Sequence, residues 1–515
     1  MIIRTFFLCI LSSLLLLLSF PKFNLEFLAW FSFIPLLFAI ENKTKRAAFW
    51  LSYSCGFVFF ISILYWLVHV TLIGLIILSI YLAFYFAFFG YFFVGFRRRL
   101  PKFNFLIIIF LSSIWVILEY LRSQLLSGFP WALLGYSQYL NIGLIQIVDI
   151  TGSFGISFLI VFVNLYLFEI IKSISSKEFK LAVRILLILF LIFAVIYSYG
   201  SYAINKYSDI SKTVIKVSLL QGNIPQEAKW ESVFRTKIKQ IYFDLTQETV
   251  KDNPDLIIWP ETAYPDYFSS EDRIAYNTLI QLARKAQRPI LFGAVLEQQN
   301  KYFNSAVLIP ADLSRPIFYK KIHLVPFGEY LPLRQYLPFM EKFVPIEDFD
   351  AGKEFVVFKT KNSQRETVSF GALICFEDII FELARQLRLN GADFLVNITN
   401  DAWFKDTSSP YQHMQASVFR ALENRVYVLR SANTGITCII DNCGRIVNRV
   451  KDKNNKDTFV KGFISGEVKK QDTLSIYSRF GDILILACAI YILWFALFPA
   501  KKQIHKARKY YFSRF

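Results

Sequence analysis

The stretch VSFGALICFED, residues 368–378, decides how this chain of 515 residues is read. A β-rich apolar run ends at Cys375, directly before a helix predicted over 378–390. Residues at strand ends project into a shared crevice, which is where α/β proteins place their chemistry. A cysteine at a strand-to-helix turn has the setting of a nucleophile elbow. Working outward, VIKVSLL (214–220), DLIIWP (255–260), PILFGAV (289–295), AVLI (306–309) and DFLVNIT (393–399) read as further strands. Helical patterns cover 231–251, 271–287 and 410–426. The spacing predicts an α/β sandwich with helices covering two apolar sheet faces.

Two other polar residues share the strand-end setting. Glu261 follows DLIIWP, and Lys321 ends FYKK after Pro316. A free thiol with a pKa of about 8.5 is only a few per cent thiolate at neutral pH, so a nucleophilic Cys375 needs a base. Glu261 can take the proton. A Lys321 cation and a helix N-terminus would favour both the thiolate and a developing oxyanion. Spacing alone leaves the plain alternative open: a buried cysteine, a surface glutamate and a surface lysine.

The flanks of this block are of another kind. The chain is 55% hydrophobic and 19% charged, with 55 Phe and nine Trp, where a soluble domain carries about 25% charged residues. This excludes a disordered chain and argues against a wholly soluble one. A spanning helix needs about 20 apolar residues. Segments at 5–20, 25–40, 47–68, 72–96, 103–121, 152–171, 181–202 and 481–499 are read as eight spans, with a break near His69–Thr71. The first is kept as a span rather than a signal peptide, because no small-x-small cleavage site precedes the next. The expected organisation is a seven-helix transmembrane domain at 1–204, a catalytic domain at 205–476, and an eighth helix with a basic tail at 477–515.

Most of the net charge of +18 sits on these apolar flanks. That pattern suits membrane-flanking loops and argues against nucleic acid as a partner. Lys43, Lys45 and Arg46, then Arg97, Arg98, Arg99 and Lys102, then Lys172, Lys177, Lys180 and Arg184 fall in alternate loops. The tail adds Lys501, Lys502, Lys506, Arg508, Lys509 and Arg514. Read by the positive-inside rule, both termini are cytoplasmic and the central block faces outward, into the periplasm of a two-membrane bacterium. No CxxC pair or Cys/His cluster reads as a metal site, and no cofactor is implied. Cys9, Cys55 and Cys488 lie in apolar runs. Cys438 and Cys443 are read as two buried thiols in preference to a disulfide.

WPETAYP (259–265), YKKIHLVPFGEYLP (319–332) and ICFED (374–378) resemble the Glu-Lys-Cys signatures of the nitrilase (carbon–nitrogen hydrolase) superfamily. More narrowly, QGNIPQEAKW (221–230), NDAWF (400–404), RALENR (420–425), SGFPWALLGYSQ (127–138) and TGSFGISFLIVFVN (151–164) resemble the apolipoprotein N-acyltransferase family. Ordered motifs across both parts of the chain make this specific where a lone Glu, Lys or Cys would not be.

The resemblance implies an integral membrane helical bundle carrying an extracytoplasmic αββα sandwich. It implies Glu261 as general base, Lys321 as oxyanion-stabilising cation and Cys375 as nucleophile. Glu329 would be a second carboxylate near Lys321, while Trp230, Glu377 and Glu423 match further positions of the family. Phe376 stands where the family more often has Tyr, leaving its backbone N–H available to an oxyanion hole. Lys405 stands where Gly is usual. The implied reaction is ping-pong acyl transfer. A phospholipid such as phosphatidylethanolamine is the donor, a diacylglyceryl apolipoprotein the acceptor, and the enzyme a membrane-embedded monomer.

Other residues carry plainer expectations. His413 reads as a structural hydrogen-bonding residue. His323 reads as a supporting group on the Lys321 side of a strand. Glu119 and Arg122, three apart on a helix, read as a structural pair at the membrane surface. Trp131 reads as an interfacial anchor, and Asp149 as a cap on the following helix. Two rival functions remain: a membrane-anchored amidase with the same triad, and a transporter or scaffold carrying an inactive domain. Retention of all three triad residues and the sparse charge in the apolar segments argue against the second.

Overall fold

Strands whose two faces are both apolar must be covered twice, and the central block meets that demand. The computed structural model describes residues 2–97, 105–208, 213–269, 273–312, 314–331 and 348–512. The chain divides into two units, Met1–Tyr199 with Asp482–Phe515, and Gly200–Gly481.

Among the described residues the second unit holds thirteen strands: β1 (Thr213–Gln221), β2 (Leu256–Ile258), β3 (Tyr267–Phe268), β4 (Ile290–Gln298), β5 (Lys301–Ile309), β6 (Ile317–Lys320), β7 (Val357–Lys361), β8 (Thr367–Ile374), β9 (Phe394–Thr399), β10 (Val428–Ala432), β11 (Cys438–Ile440), β12 (Ile446–Arg449) and β13 (Gly462–Lys469). One sheet runs β13-β1-β2-β4-β5-β6, with β3 beside β4; the other runs β12-β11-β10-β9-β8-β7. Val217, Leu219, Ile258 and Leu291 of the first sheet share a buried core with Phe370, Ala372, Ile374, Val396 and Leu429 of the second. The outer face of the first sheet, including Leu220, Ile257 and Phe292, packs under the helices Arg235–Thr249 and Arg273–Ala286. The helices Phe381–Leu389 and Ser409–Asn424 belong to the second sheet's side. This is the expected α/β sandwich.

Two boundaries differ from the sequence reading. β5 begins five residues before Ala306, which brings Asn304 into the sheet. The helix expected from 378 starts at Phe381. Before it, Cys375–Ile379 forms a 3-10 turn that ends at Ile380, whose ψ of 94° is extended. The help a helix N-terminus can give Cys375 is therefore that of one short turn.

Among the described residues, five helices are long and apolar enough to cross a membrane: Lys45–Ile63, Leu72–Arg97, Phe105–Ser127, Phe154–Ser175 and Phe179–Ser208. The other three segments read as spans fall on shorter apolar helices among the described residues. The one at 25–40 is broken into a 3-10 turn, Glu26–Trp30, and a helix, Ile34–Ile40. Asn164 satisfies the backbone freed by this break, accepting from Phe33 N at 2.8 Å and donating to Ala29 O at 2.9 Å. Irregular backbone in apolar surroundings persists where protein groups satisfy it.

The same logic governs SGFPWALLGYSQ. Glu119 and Arg122 are buried inside the helical unit and do not sit at its surface. Glu119 accepts from Leu134 N at 2.8 Å, and Arg122 donates to Trp131 O at 2.7 Å. Trp131 is 4% exposed and packs on Trp66, so it is a core residue and not an interfacial anchor. The helix Ser153–Ser175 that follows Asp149 has Gly152 as its N-cap, and the Asp149 carboxylate accepts from Tyr199 Oη at 2.8 and 2.9 Å. All six cysteines are free, Cys438 and Cys443 both as buried thiols. Arg98, Arg99 and Lys102, and the side chains of the basic tail, lie outside the described residues.

Candidate active site

Three chain segments bring Glu261, Lys321 and Cys375 together, each just past a strand end. Glu261 lies three residues beyond β2, in a turn where Thr262 has a φ of +44°. Gly293 of β4 backs this turn so closely that a Cβ there would fall 2.6 Å from Glu261 Cα. Lys321 directly follows β6, and its N–H donates to Asn304 O at 2.8 Å. Cys375 directly follows β8 with a φ of +53°, a strained elbow that turns the thiol out of the strand. The elbow is held from behind: Asn397 Nδ2 donates to Cys375 O at 3.1 Å, and His413 Nε2 lies 3.2 Å from the same oxygen.

The carboxylates are arranged around Lys321. Its Nζ lies 2.9 and 2.8 Å from the two oxygens of Glu329 and is 1% exposed. Asn304 Nδ2 donates to Glu261 Oε1 and to Glu329 Oε1, both at 2.7 Å. Glu377 is a brace between segments. It accepts from Tyr319 Oη, Ile322 N and His323 N on the lysine side, at 2.9, 2.7 and 3.1 Å, and from Ile374 N beside the cysteine at 2.8 Å.

Burial dominates the electrostatics. It pushes the Cys375 thiol up, with Glu261 and Asp401 adding to the shift while Lys321 and Thr399 oppose it, so the resting group is a neutral thiol. Glu261 is also pushed up, first by burial and then by Glu329, against Lys321, Asn304 and Lys229. Burial alone would lower Lys321, but Glu329, Cys375 and Glu261 outweigh it and raise the amine. Glu377 is raised by burial to about 7. A neutral thiol facing a carboxylate of raised basicity, with the Lys321 cation acting on both, can transfer a proton as the sulfur attacks.

The supporting residues divide. Phe376 stacks on His323 at 5.9 Å between ring centroids. His323 does not reach this place along a strand, because β6 ends at Lys320 and the backbone turns there. Burial and Lys321 lower its pKa, so it is neutral. Glu423 pairs with Arg420 at 2.7 Å, and Arg420 Nη1 donates to Ile379 O at 3.2 Å; its effect on the elbow runs through that arginine. His413 lies between Asp378 (2.7 Å) and Asp401 (3.0 Å), and Arg430 closes both carboxylates at 2.9 and 3.0 Å. Lys405 holds a φ of +52°, the kind of position that favours Gly. The side chain of Trp230 lies outside the described residues.

Sequence reasoning passed over Asn304, Lys229 and the Asp378–Asp401–Arg430 cluster. Lys229 lies within QGNIPQEAKW, one residue before Trp230. Arg430 lies in VLRSA, which was not read as a strand.

Comparison with known proteins fits this geometry. Residues 216–470 match the family model described as carbon-nitrogen hydrolase, and residues 12–166 match that of the apolipoprotein N-acyltransferase N-terminal domain. The sandwich is thus a carbon–nitrogen hydrolase domain. An apolipoprotein N-acyltransferase of Geobacter metallireducens is 38% identical over 505 residues, covering 94% of this chain and 93% of its own. One from Pasteurella multocida is 29% identical over 516 residues, covering 95% and 94%. A Saccharomyces cerevisiae structure from the nitrilase superfamily aligns with a TM-score of 0.38 at 18% identity, over 51% of this chain and 92% of that one. The chain belongs to the apolipoprotein N-acyltransferase family.

Proposed function

We propose that the protein moves a fatty acyl group from a phospholipid, through a thioester on Cys375, to the α-amino group of a diacylglyceryl-cysteine apolipoprotein. Glu261 is the base, Lys321 the cation facing the oxyanion and Cys375 the nucleophile. Sγ attacks the ester carbonyl carbon while the thiol proton passes to Glu261. The oxyanion is met by Lys321 and the backbone N–H of Phe376. Collapse breaks the C–O bond, and Glu261 returns the proton to the departing lysophospholipid. The incoming amine then attacks the thioester, loses its proton to Glu261 and expels the sulfur, which takes that proton back.

One observation carries this reading: Glu261 and Lys321 are fixed around Cys375 by Asn304 and Glu329, in a chain whose family is the acyltransferase one. The apolar helices support a lipid donor. Each buried acyl methylene is worth about 0.8 kcal/mol, so a lipid substrate favours an enzyme that works at the bilayer. We further propose a multi-pass protein of the bacterial inner membrane, with eight spans and the catalytic domain on the periplasmic side. The alternating basic loops support that orientation. We also propose phosphatidylethanolamine as donor, and a monomer. The amidase alternative is not favoured by family membership.

The test is intact mass after incubating the purified protein in detergent with phospholipid alone, beside Cys375→Ser. The expected result is a hydroxylamine-sensitive gain of one acyl group in the wild type only, discharged by a diacylglyceryl peptide. Absence of both the adduct and free lysophospholipid at long times would reject phospholipid as donor.

A further inference from the structure

A second ammonium stands at the site, and the mechanism above does not use it. Lys229 is 3% exposed, and its Nζ donates to Glu261 O at 3.0 Å and to Thr262 Oγ1. Both bonds grip the turn that carries the base, not a carboxylate. That turn needs a grip. Thr262 is held at a φ of +44°, where a β-branched side chain is strained. Behind it, Gly293 leaves no room for relaxation toward β4.

A neutral donor such as glutamine could clamp a turn as well, and burying an ammonium is costly. Burial lowers Lys229 to about 8, while Glu261 and Cys375 pull the other way. The charge is therefore felt by both partners of the proton transfer. The other groups facing Glu261 are Lys321, Glu329 and Asn304; those facing Cys375 are Glu261, Lys321, Asp401 and Thr399.

We infer that Lys229 is a positioning residue for the general base: it clamps the Glu261–Thr262 turn and holds a positive charge at neutral pH that favours the ionised form of Glu261, ready to take the Cys375 proton.

The inference rests on the proposed transfer from Cys375 to Glu261, and its test avoids lipid. The full-length protein in detergent is treated with iodoacetamide across a pH series, and alkylation at Cys375 is followed by peptide mass spectrometry. Removing the charge raises the pKa of both Glu261 and the thiol. Lys229→Met should therefore slow alkylation at neutral pH about tenfold, with the midpoint of the profile displaced to higher pH. Thr262→Val loses one grip and keeps the charge, so it should slow alkylation less and leave the midpoint in place. If Lys229→Met does not accumulate as folded protein, Lys229→Gln keeps a donor without the charge and should show the same displacement.

A wild-type profile in the Lys229 variants, or an equal slowing at every pH, overturns the inference. So does a Glu261→Gln variant that alkylates at the wild-type rate, which removes the base assignment as well. A wild type that alkylates with Glu261 dependence yet gains no acyl group from phospholipid rejects the donor alone. The displaced midpoint then still supports the role of Lys229.

Discussion

Glu261 and Glu329 share one side-chain amide: each presents an Oε1 to Asn304 Nδ2 at 2.7 Å. Burial and the neighbouring Glu329 raise the proton affinity of Glu261, and the amide with Lys321 opposes that rise. Changing Asn304→Asp replaces the shared donor with a third negative charge. Thioester formation should fall by roughly a hundredfold or more at neutral pH. Because the lost hydrogen bond had lowered the Glu261 pKa, the acid limb of the rate profile should move to higher pH. Intact-mass time courses across pH read both effects.

Gly293→Ala tests the close approach behind the base. The added methyl would meet Thr262 N at 2.4 Å and Glu261 Cα at 2.6 Å, backbone atoms that cannot swing aside. The expected result is a folded protein with acylation down by about a hundredfold, since displacing a catalytic group by roughly 1 Å has that effect. Circular dichroism beside the acylation rate separates this outcome from misfolding.

Asp401→Asn opens the buried cluster behind the elbow. It leaves Arg430 and His413 with Asp378 as their sole carboxylate in that cluster. Removing one partner of such a group costs roughly 3–5 kcal/mol, read as a lowered unfolding temperature. The pH dependence has a defined sign. Despite burial, Arg430 and His413 hold the Asp401 carboxyl at about 2, below its unfolded value. Its contribution is present above an unfolded pKa of about 3.9 and is lost as pH falls toward 2. The stability gap between wild type and variant should therefore close in that acidic window.

Lys405→Gly should stabilise. Lys405 adopts a φ of +52° with ψ of −161°, a region suited to glycine. Relief of that strain is worth about 1 kcal/mol or more, offset in part by the greater freedom of an unfolded glycine. Thermal unfolding in detergent checks the direction, and the acylation rate should be retained.

Much of the catalytic unit was legible because its central strands announce themselves. PILFGAV is apolar on both faces, as a strand covered from both sides must be, while VIKVSLL and DFLVNIT each keep one wholly apolar face, Ile215, Val217 and Leu219 in the first and Phe394, Val396 and Ile398 in the second. The strands that escaped notice are short or carry charge. VFKTK and IVNR are the two edge strands of the second sheet, and no residue of IVNR is buried. VLRSA hides an arginine that reads as exposed until Asp378 and Asp401 are seen around it. The proposed triad of Glu261, Lys321 and Cys375 is legible because each member ends a recognisable strand or motif. Asn304 could not, because the strand was read from Ala306 onward. In the helical unit, periodicity does not separate a tryptophan at an interface from one in a core. The core position of Trp131 comes from Trp66, distant in sequence, whose ring packs against it.

Glu377 gives the site a mechanical property. One carboxylate ties the segment that follows β6 to the last residue of β8, so the lysine and the cysteine ride on a common crosspiece. A fluctuation that lifts the loop after Lys321 must pull on the elbow, and a loosened elbow must drag the loop. The cation and the sulfur thus drift in concert, and their separation is steadier than the position of either one. Such a linkage can let a bulky, flexible acyl chain jostle the surrounding walls without spoiling the alignment on which bond formation depends.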